Sequence, residues 1–380
     1  MITKKASSVS EQKEVRDSNL ELFRILVMLL IVIHHYVVNS GLMEPDGPIM
    51  ANLYSWRSVF LLLVGAWGKT GINCFMLITG YFMCKSHITF KKYAKLLLEI
   101  YFYRFVISFA FIVTGYSAFT ARDFIKLIVP FTYIKRNFTG CYLVFFLCIP
   151  FLNVLIRNLN ERQHLLLLAL AGSIFVLFGS VPFFDLAFSY VSWFCVLYFI
   201  ASYIRMYPKH IFDKTGFWGW MTLLSFALSA VSVLVCTYGY SMLGKQPAPY
   251  EFVGETNKIF AVCLGVSSFL FFKNVRIRNS GVINAIAATT FGVLQIHANS
   301  DTMRTFLWND IFRCTEMYSS KYLVASVLGG GTIVFIVCSL VDMLRIHFIE
   351  KPLFARWDKW GGRLEGRIKA IIDRRSKIEQ

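Results

Sequence analysis

An all-α, polytopic membrane helical bundle of about ten transmembrane helices, with both termini cytoplasmic, is the fold class this sequence predicts. Three observations predict it. Hydrophobic residues make up 56% of the 380 and charged residues only 16%, where a soluble domain carries roughly 25% charged. Apolar runs of span length recur throughout the chain. The basic residues gather in alternate loops, as the positive-inside rule asks.

The elements follow in order. The first run, 21–39, comes after nineteen mostly polar residues and holds Arg24, His34 and His35 with no small-residue cleavage site behind it. It is expected to be a mature first helix and not a cleavable signal. Runs 59–83 and 96–118 are separated by Lys85, Lys91, Lys92 and Lys95. Segment 119–140 carries Arg122, Lys126, Lys135 and Arg136 yet is apolar from Phe124 to Phe131, which suits a re-entrant or interfacial piece. Runs 141–156 and 165–182 are divided by Arg157 and Arg162, and 188–205 and 216–240 by Lys209 and Lys214, just after Arg205. Run 257–273 ends at Lys273, Arg276 and Arg278 precede 283–298, and 323–347 is the last. Opposite loops hold Asp185 alone, or Lys245 with Glu251 and Glu255.

Three regions result: a cytoplasmic tail over 1–19, a membrane domain over 20–350, and a basic tail over 351–380. In the last, Leu353, Trp357, Trp360, Leu364, Ile368 and Ile371 mark one apolar face flanked by cations, as for a helix lying on the inner leaflet. Gly361 and Gly362 loosen its middle. The net charge of +17 is distributed between apolar spans and not over one folded face. It therefore points to lipid headgroups and away from nucleic acid. Nine scattered Cys form no CxxC and no Cys/His spacing, so neither a disulfide framework nor a metal site is expected. There is no GxxxxGK[ST], HExxH or GxSxG in context, so NTPase, zinc protease and serine hydrolase readings have no support. Nor is there an internal repeat of the kind many transporters show.

Chemistry is concentrated in a few positions. Arg24 and His35 are eleven residues apart, an advance that returns to within about 20° of the same direction and rises roughly 16 Å along a helix. Glu21 points broadly the same way. Ionisable groups at membrane depth line cavities or relays, so His35 is a candidate general base toward a hydroxyl, with Arg24 ordering the site or holding a phosphate. His34 points about 100° away and reads as a packed neighbour. The block Gly71 to Phe82 offers Asn73 and Thr79, and Lys69 stands just ahead of it. Asn73 and Lys69 are candidate substrate contacts, as is His297 at the end of the Phe291–His297 block. Glu350, before Pro352, is expected to stop the last helix and to pair with a cytoplasmic Lys or Arg.

These residues, taken together, resemble the acyltransferase-3 family of polytopic membrane O-acyltransferases. Glu21, Arg24 and His35 match its acidic residue followed by Arg-x10-His. Gly71 to Phe82 matches its second-helix block, and Tyr142 to Asn153 its LYLLSPFLN stretch. Phe291 to His297 matches its FGVYLIH helix, and Glu350-Lys-Pro352 its closing ExP. The resemblance runs over roughly residues 19–352. It departs at the third helix, where the family often carries Arg-x-x-Arg: here Lys91-Lys92-Tyr-Ala-Lys95 supplies the basic groups, and Glu99 stands where an arginine is expected. No fused SGNH hydrolase segment is visible, so the stand-alone type is resembled.

The resemblance implies transfer of an acyl group, by default acetyl from cytoplasmic acetyl-CoA, to a sugar hydroxyl of a cell-surface glycan or lipid-linked precursor. The setting it implies is a bacterial inner membrane. Acyl-CoA is then a donor substrate with no permanently bound cofactor, and Lys91, Lys92 and Lys95 would attract its phosphates. The alternative from another class is a non-catalytic exporter of a glycan or lipid-linked intermediate.

Overall fold

The computed structural model describes residues 17–118, 120–129, 137–182, 184 and 189–361, and every regular element among them is helical. That is what hydrocarbon demands of a chain without a closed barrel, since each backbone N–H and C=O must be satisfied within its own segment. The principal helices are α1 (Ser18–Val38), α2 (Trp56–Met83), α3 (Phe90–Val113), α4 (Phe138–Asn158) and α5 (Glu161–Phe178). Then come α6 (Tyr190–Met206), α7 (Thr215–Met242), α8 (Ile259–Asn274), α9 (Gly281–His297), α10 (Asp301–Ile311) and α11 (Leu323–Gly361).

Helical segments stand at all ten expected positions, but not all are spans by length. Among the described residues, seven helices are long and apolar enough to cross a membrane. An eighth span is possible by pairing α9 with α10, which meet at 96°. The other two, α6 and α8, have 17 and 16 residues, about 25 Å of helix against a hydrocarbon core near 30 Å. Segment 119–140 contributes the short helix Ala121–Ile128, closed at its start by a Thr120–Asp123 capping box. Phe124, Ile125 and Ile128 are exposed on it, as an interfacial helix requires.

α1 is the hub, touching α2, α8, α9 and α11. Its start is anchored by side chains. Asn19 Nδ2 donates to the Phe272 and Lys273 carbonyls at 3.0 and 2.9 Å, capping C=O groups in the last turn of α8. Ser18 Oγ donates to Asn284 Oδ1 at 3.0 Å. α2 runs antiparallel to α1 and is the most enclosed span, 72% of its apolar window being buried; for α5 the figure is 11%, marking the lipid-facing periphery. A turn at Ala66–Trp67 divides α2. There Gly68 packs flat against the His34 ring, where a Cβ would collide.

A cluster of ionisable groups joins α3 to α11. Lys95, Glu99 and Tyr103 follow one face of α3 at intervals of four. Arg345 Nε donates to Asp342 Oδ1 at 2.6 Å and Nη1 to Glu350 Oε2 at 2.8 Å, while Nη2 lies 3.3 Å from Glu99. Tyr103 Oη donates to Asp342 at 2.7 Å, and Lys95 meets Glu350 at 2.6 Å. Asp342, Arg345, Glu350 and Glu99 are all buried. On the α9 side the cluster fits only because position 292 is glycine: a Cβ there would collide with the Asp342 carboxylate.

Glu350 thus pairs with Lys95 and Arg345, but the expectation that it stops the last helix is corrected. α11 continues through Pro352 to Gly361. A π-helical stretch, Ile346–Glu350, comes directly before. Its wider turn relaxes the i−4 hydrogen bond and carbonyl contact that proline disrupts. Of the basic tail's apolar face, Leu353, Trp357 and Trp360 lie on this helix, while Leu364, Ile368 and Ile371 fall outside the described residues, as do residues 1–16 of the N-terminal tail.

Candidate active site at the end of the first helix

His35 sits in the last turn of α1 and faces a cavity of about 780 Å³. The apolar floor is Met28, Ile31, Ile72 and Phe75; Phe138 and Phe291 form part of the walls. Polar side chains, among them Asn39, Lys69, Tyr190, Gln295, Asn299 and Arg304, complete the lining. Polar groups interleaved with aromatic rings around an imidazole suit a hydroxylated ligand.

The imidazole is fixed along one edge. His35 Nδ1 lies 2.9 Å from His297 Nε2, and His297 Nδ1 lies 2.6 Å from the Val293 carbonyl one turn back on α9. His297 has no exposed surface and does not line the cavity. His34, on the adjacent face of α1, also borders the cavity but is buried against α2, with Nδ1 2.5 Å from the Gly65 carbonyl beside the helix break.

Lys69 stands in the first turn after that break. It donates to the Tyr190 hydroxyl at 2.7 Å and lies 3.7 Å from Glu255. Arg304, on α10, pairs with Asp301 at 2.8 Å, while its Nε is buried without a hydrogen-bond partner. The cavity therefore presents cationic groups from three elements, Lys69 on α2, Arg104 on α3 and Arg304 on α10, as well as imidazole. Such groups favour negative charge that develops on a reacting oxygen.

Other residues singled out in the sequence lie elsewhere. Arg24 and Glu21 pair with each other at 3.3 Å; the cavity lining along α1 begins at Met28 and includes neither. Asn73 is fully buried and held from both ends of its amide. It donates to the Thr256 and Ala261 carbonyls at 2.7 and 3.1 Å and accepts from Trp193 Nε1 at 2.9 Å. Lys91, Lys92 and Lys95 lie toward the opposite end, where α1 begins. Each has a partner in the chain: Lys91 with Asp358 at 2.6 Å, Lys92 with Ser86 Oγ at 2.8 Å, and Lys95 with Glu350.

The sequence reading did not pick out Tyr190, Gln295, Asn299 or Arg104, all of which line the cavity. Gln295 donates to Thr139 at 3.0 Å, which ties α9 to the first turn of α4. The available signal was its position two residues before His297 within a block already singled out.

The model for the acyltransferase domain of the acyltransferase-3 family matches residues 17–342. No curated protein matched the chain. No solved structure matched it either.

Proposed function

The chain belongs to the acyltransferase-3 family and is a multi-pass membrane acyltransferase; from that premise we propose that it moves an acyl group, acetyl by default, from cytoplasmic acyl-CoA to a sugar hydroxyl. The acceptor in this reading is a surface glycan or its lipid-linked precursor, and the membrane is a bacterial inner membrane with both ends of the chain on the cytoplasmic side. The observation that carries the reading is the half-buried His35 ring, held on one edge and lining a polar and aromatic cavity.

His35 is the general base in this scheme. It takes the proton of the acceptor hydroxyl while the acceptor oxygen bonds to the thioester carbonyl carbon. Lys69 and Arg304 would supply positive charge toward the carbonyl oxygen as it becomes an oxyanion. Arg24, roughly 16 Å below His35 along the helix axis, would attract a donor phosphate, with Lys91, Lys92 and Lys95 further out on the same side. Asn73 acts on the substrate through the α2, α6 and α8 packing that its amide fixes.

The test compares O-acyl content of surface glycans from cells making the wild type or His35→Ala at matched membrane abundance. Loss of a specific O-acyl signal in the variant, with loss of acyl-CoA consumption in isolated membranes, supports the reading. An acyl pattern that stays unchanged even on deletion of the gene sinks it, and leaves export of a glycan or lipid-linked intermediate as the function to assay.

A further inference from the structure

We propose that His297 is the positioning residue that sets the tautomer of His35, and that Nε2 of His35 is therefore the atom that takes the proton. This rests on the acyl-transfer reading for its consequence, but not for its geometry.

The carbonyl of Val293 can only accept, so the 2.6 Å contact with His297 Nδ1 requires the hydrogen to be on Nδ1. A neutral imidazole carries one N–H, which leaves Nε2 of His297 a bare acceptor. Its partner at 2.9 Å is Nδ1 of His35, which must then be the donor. With its hydrogen on Nδ1, His35 has its lone pair on Nε2. That atom has no hydrogen bond among the described residues, and its ring lines the cavity. The alternative, an imidazolium at 297, would put a cation at zero exposure with no carboxylate in contact among the described residues, an uncompensated burial that costs several kcal/mol.

The device differs from a carboxylate-held histidine in one respect. The chain ends on a neutral backbone carbonyl, so it orients the base without adding negative charge to the cavity, where Lys69 and Arg304 supply positive charge. In the transfer, the acceptor O–H proton passes to His35 Nε2 as the acceptor oxygen bonds to the acyl carbon. As the C–S bond breaks, Nε2 returns that proton to the thiolate of CoA. His35 Nδ1–H is retained throughout, and so is its bond to His297. The opposite tautomer would present N–H to the acceptor hydroxyl and could not begin the reaction.

The first arm of the test is NMR of the full chain in lipid with ¹³C,¹⁵N-labelled histidine at neutral pH. The His35 signals are those lost in His35→Gln. The Nδ1–H tautomer is expected; an Nε2–H tautomer or an imidazolium overturns the proposal. The second arm compares acyl transfer by His297→Gln, which can both accept from His35 and donate to Val293, with His297→Leu, which can do neither. The glutamine variant should keep activity within about tenfold. The leucine variant should lose on the order of 10²–10⁴ in kcat with KM for acyl-CoA unchanged. Equal losses in two folded variants would reduce His297 to packing and overturn the proposal. If the wild type transfers no acyl group, the functional reading fails, while the NMR arm still decides the tautomer.

Discussion

Between α3 and α11, three carboxylates, a guanidinium and an ammonium are drawn together at 2.6–3.3 Å; around His35, a similar variety of ionisable groups lines a cavity of about 780 Å³. The first group has its charges turned on one another, with Tyr103 and the Gly292 backbone closing it. In the second, Lys69 contacts Tyr190 and Glu255, Arg304 pairs with Asp301, and His35 is held along one edge only. Buried charge in a membrane protein is commonly read as a sign of function. The contrast teaches a sharper criterion: what matters is whether the charged groups leave room among them. The α3–α11 cluster is a frame, and the cavity is a workplace.

Four substitutions separate the two regions. His35→Ala should remove acyl transfer by about 10²–10⁴-fold, about 3–5 kcal/mol of barrier, and leave thermal unfolding in detergent nearly unchanged; a large fall in Tm would move His35 into the frame. Arg345→Met should do the reverse. It strands Asp342, Glu99 and Glu350 without their shared cation, costing about 3–5 kcal/mol of stability, and would be read as lost folded protein with normal turnover per surviving molecule. Asn73→Ala should cost about 2–3 kcal/mol by orphaning the Thr256 and Ala261 carbonyls and the Trp193 N–H. If its turnover per folded molecule also collapses, Asn73 touches substrate and the division is misplaced. Lys91→Ala removes an exposed pair to Asp358 and should change stability by under about 1 kcal/mol. A rise in KM for acyl-CoA in that variant, with kcat held, would support the phosphate-attracting role of the basic rim.

The helices were legible because apolar run length and loop charge are local properties, and each of the ten runs does contain a helix. Span length was less legible. Run 257–273 opens on the polar pair Asn257 and Lys258, and its helix begins only at Ile259. His35 could be read from its spacing to Arg24, and His297 from its block, but not their meeting: they are 262 positions apart in the chain and nothing local fixes the rotation of α9 against α1. The α3–α11 frame was missed for the same reason. Glu99 looked like a departure from a basic motif until Arg345, on the last helix, was seen to supply the positive charge from the other side. A clue lay in the spacing of Lys95, Glu99 and Tyr103, with Asp342 and Arg345 one turn apart, which puts each set on one face.

Gly292 carries a consequence for genetics. Every glycine codon is one base change from an alanine codon, so a collision with Asp342 is always a single mutational step away. Val293, the next residue, provides the carbonyl to which His297 is bonded. A random screen for loss of acyl transfer would therefore recover position 292 alongside His35, although no atom of it borders the cavity. Suppressors of such an allele would be sought among shortened side chains at 342, on a helix that contributes no residue to the cavity lining.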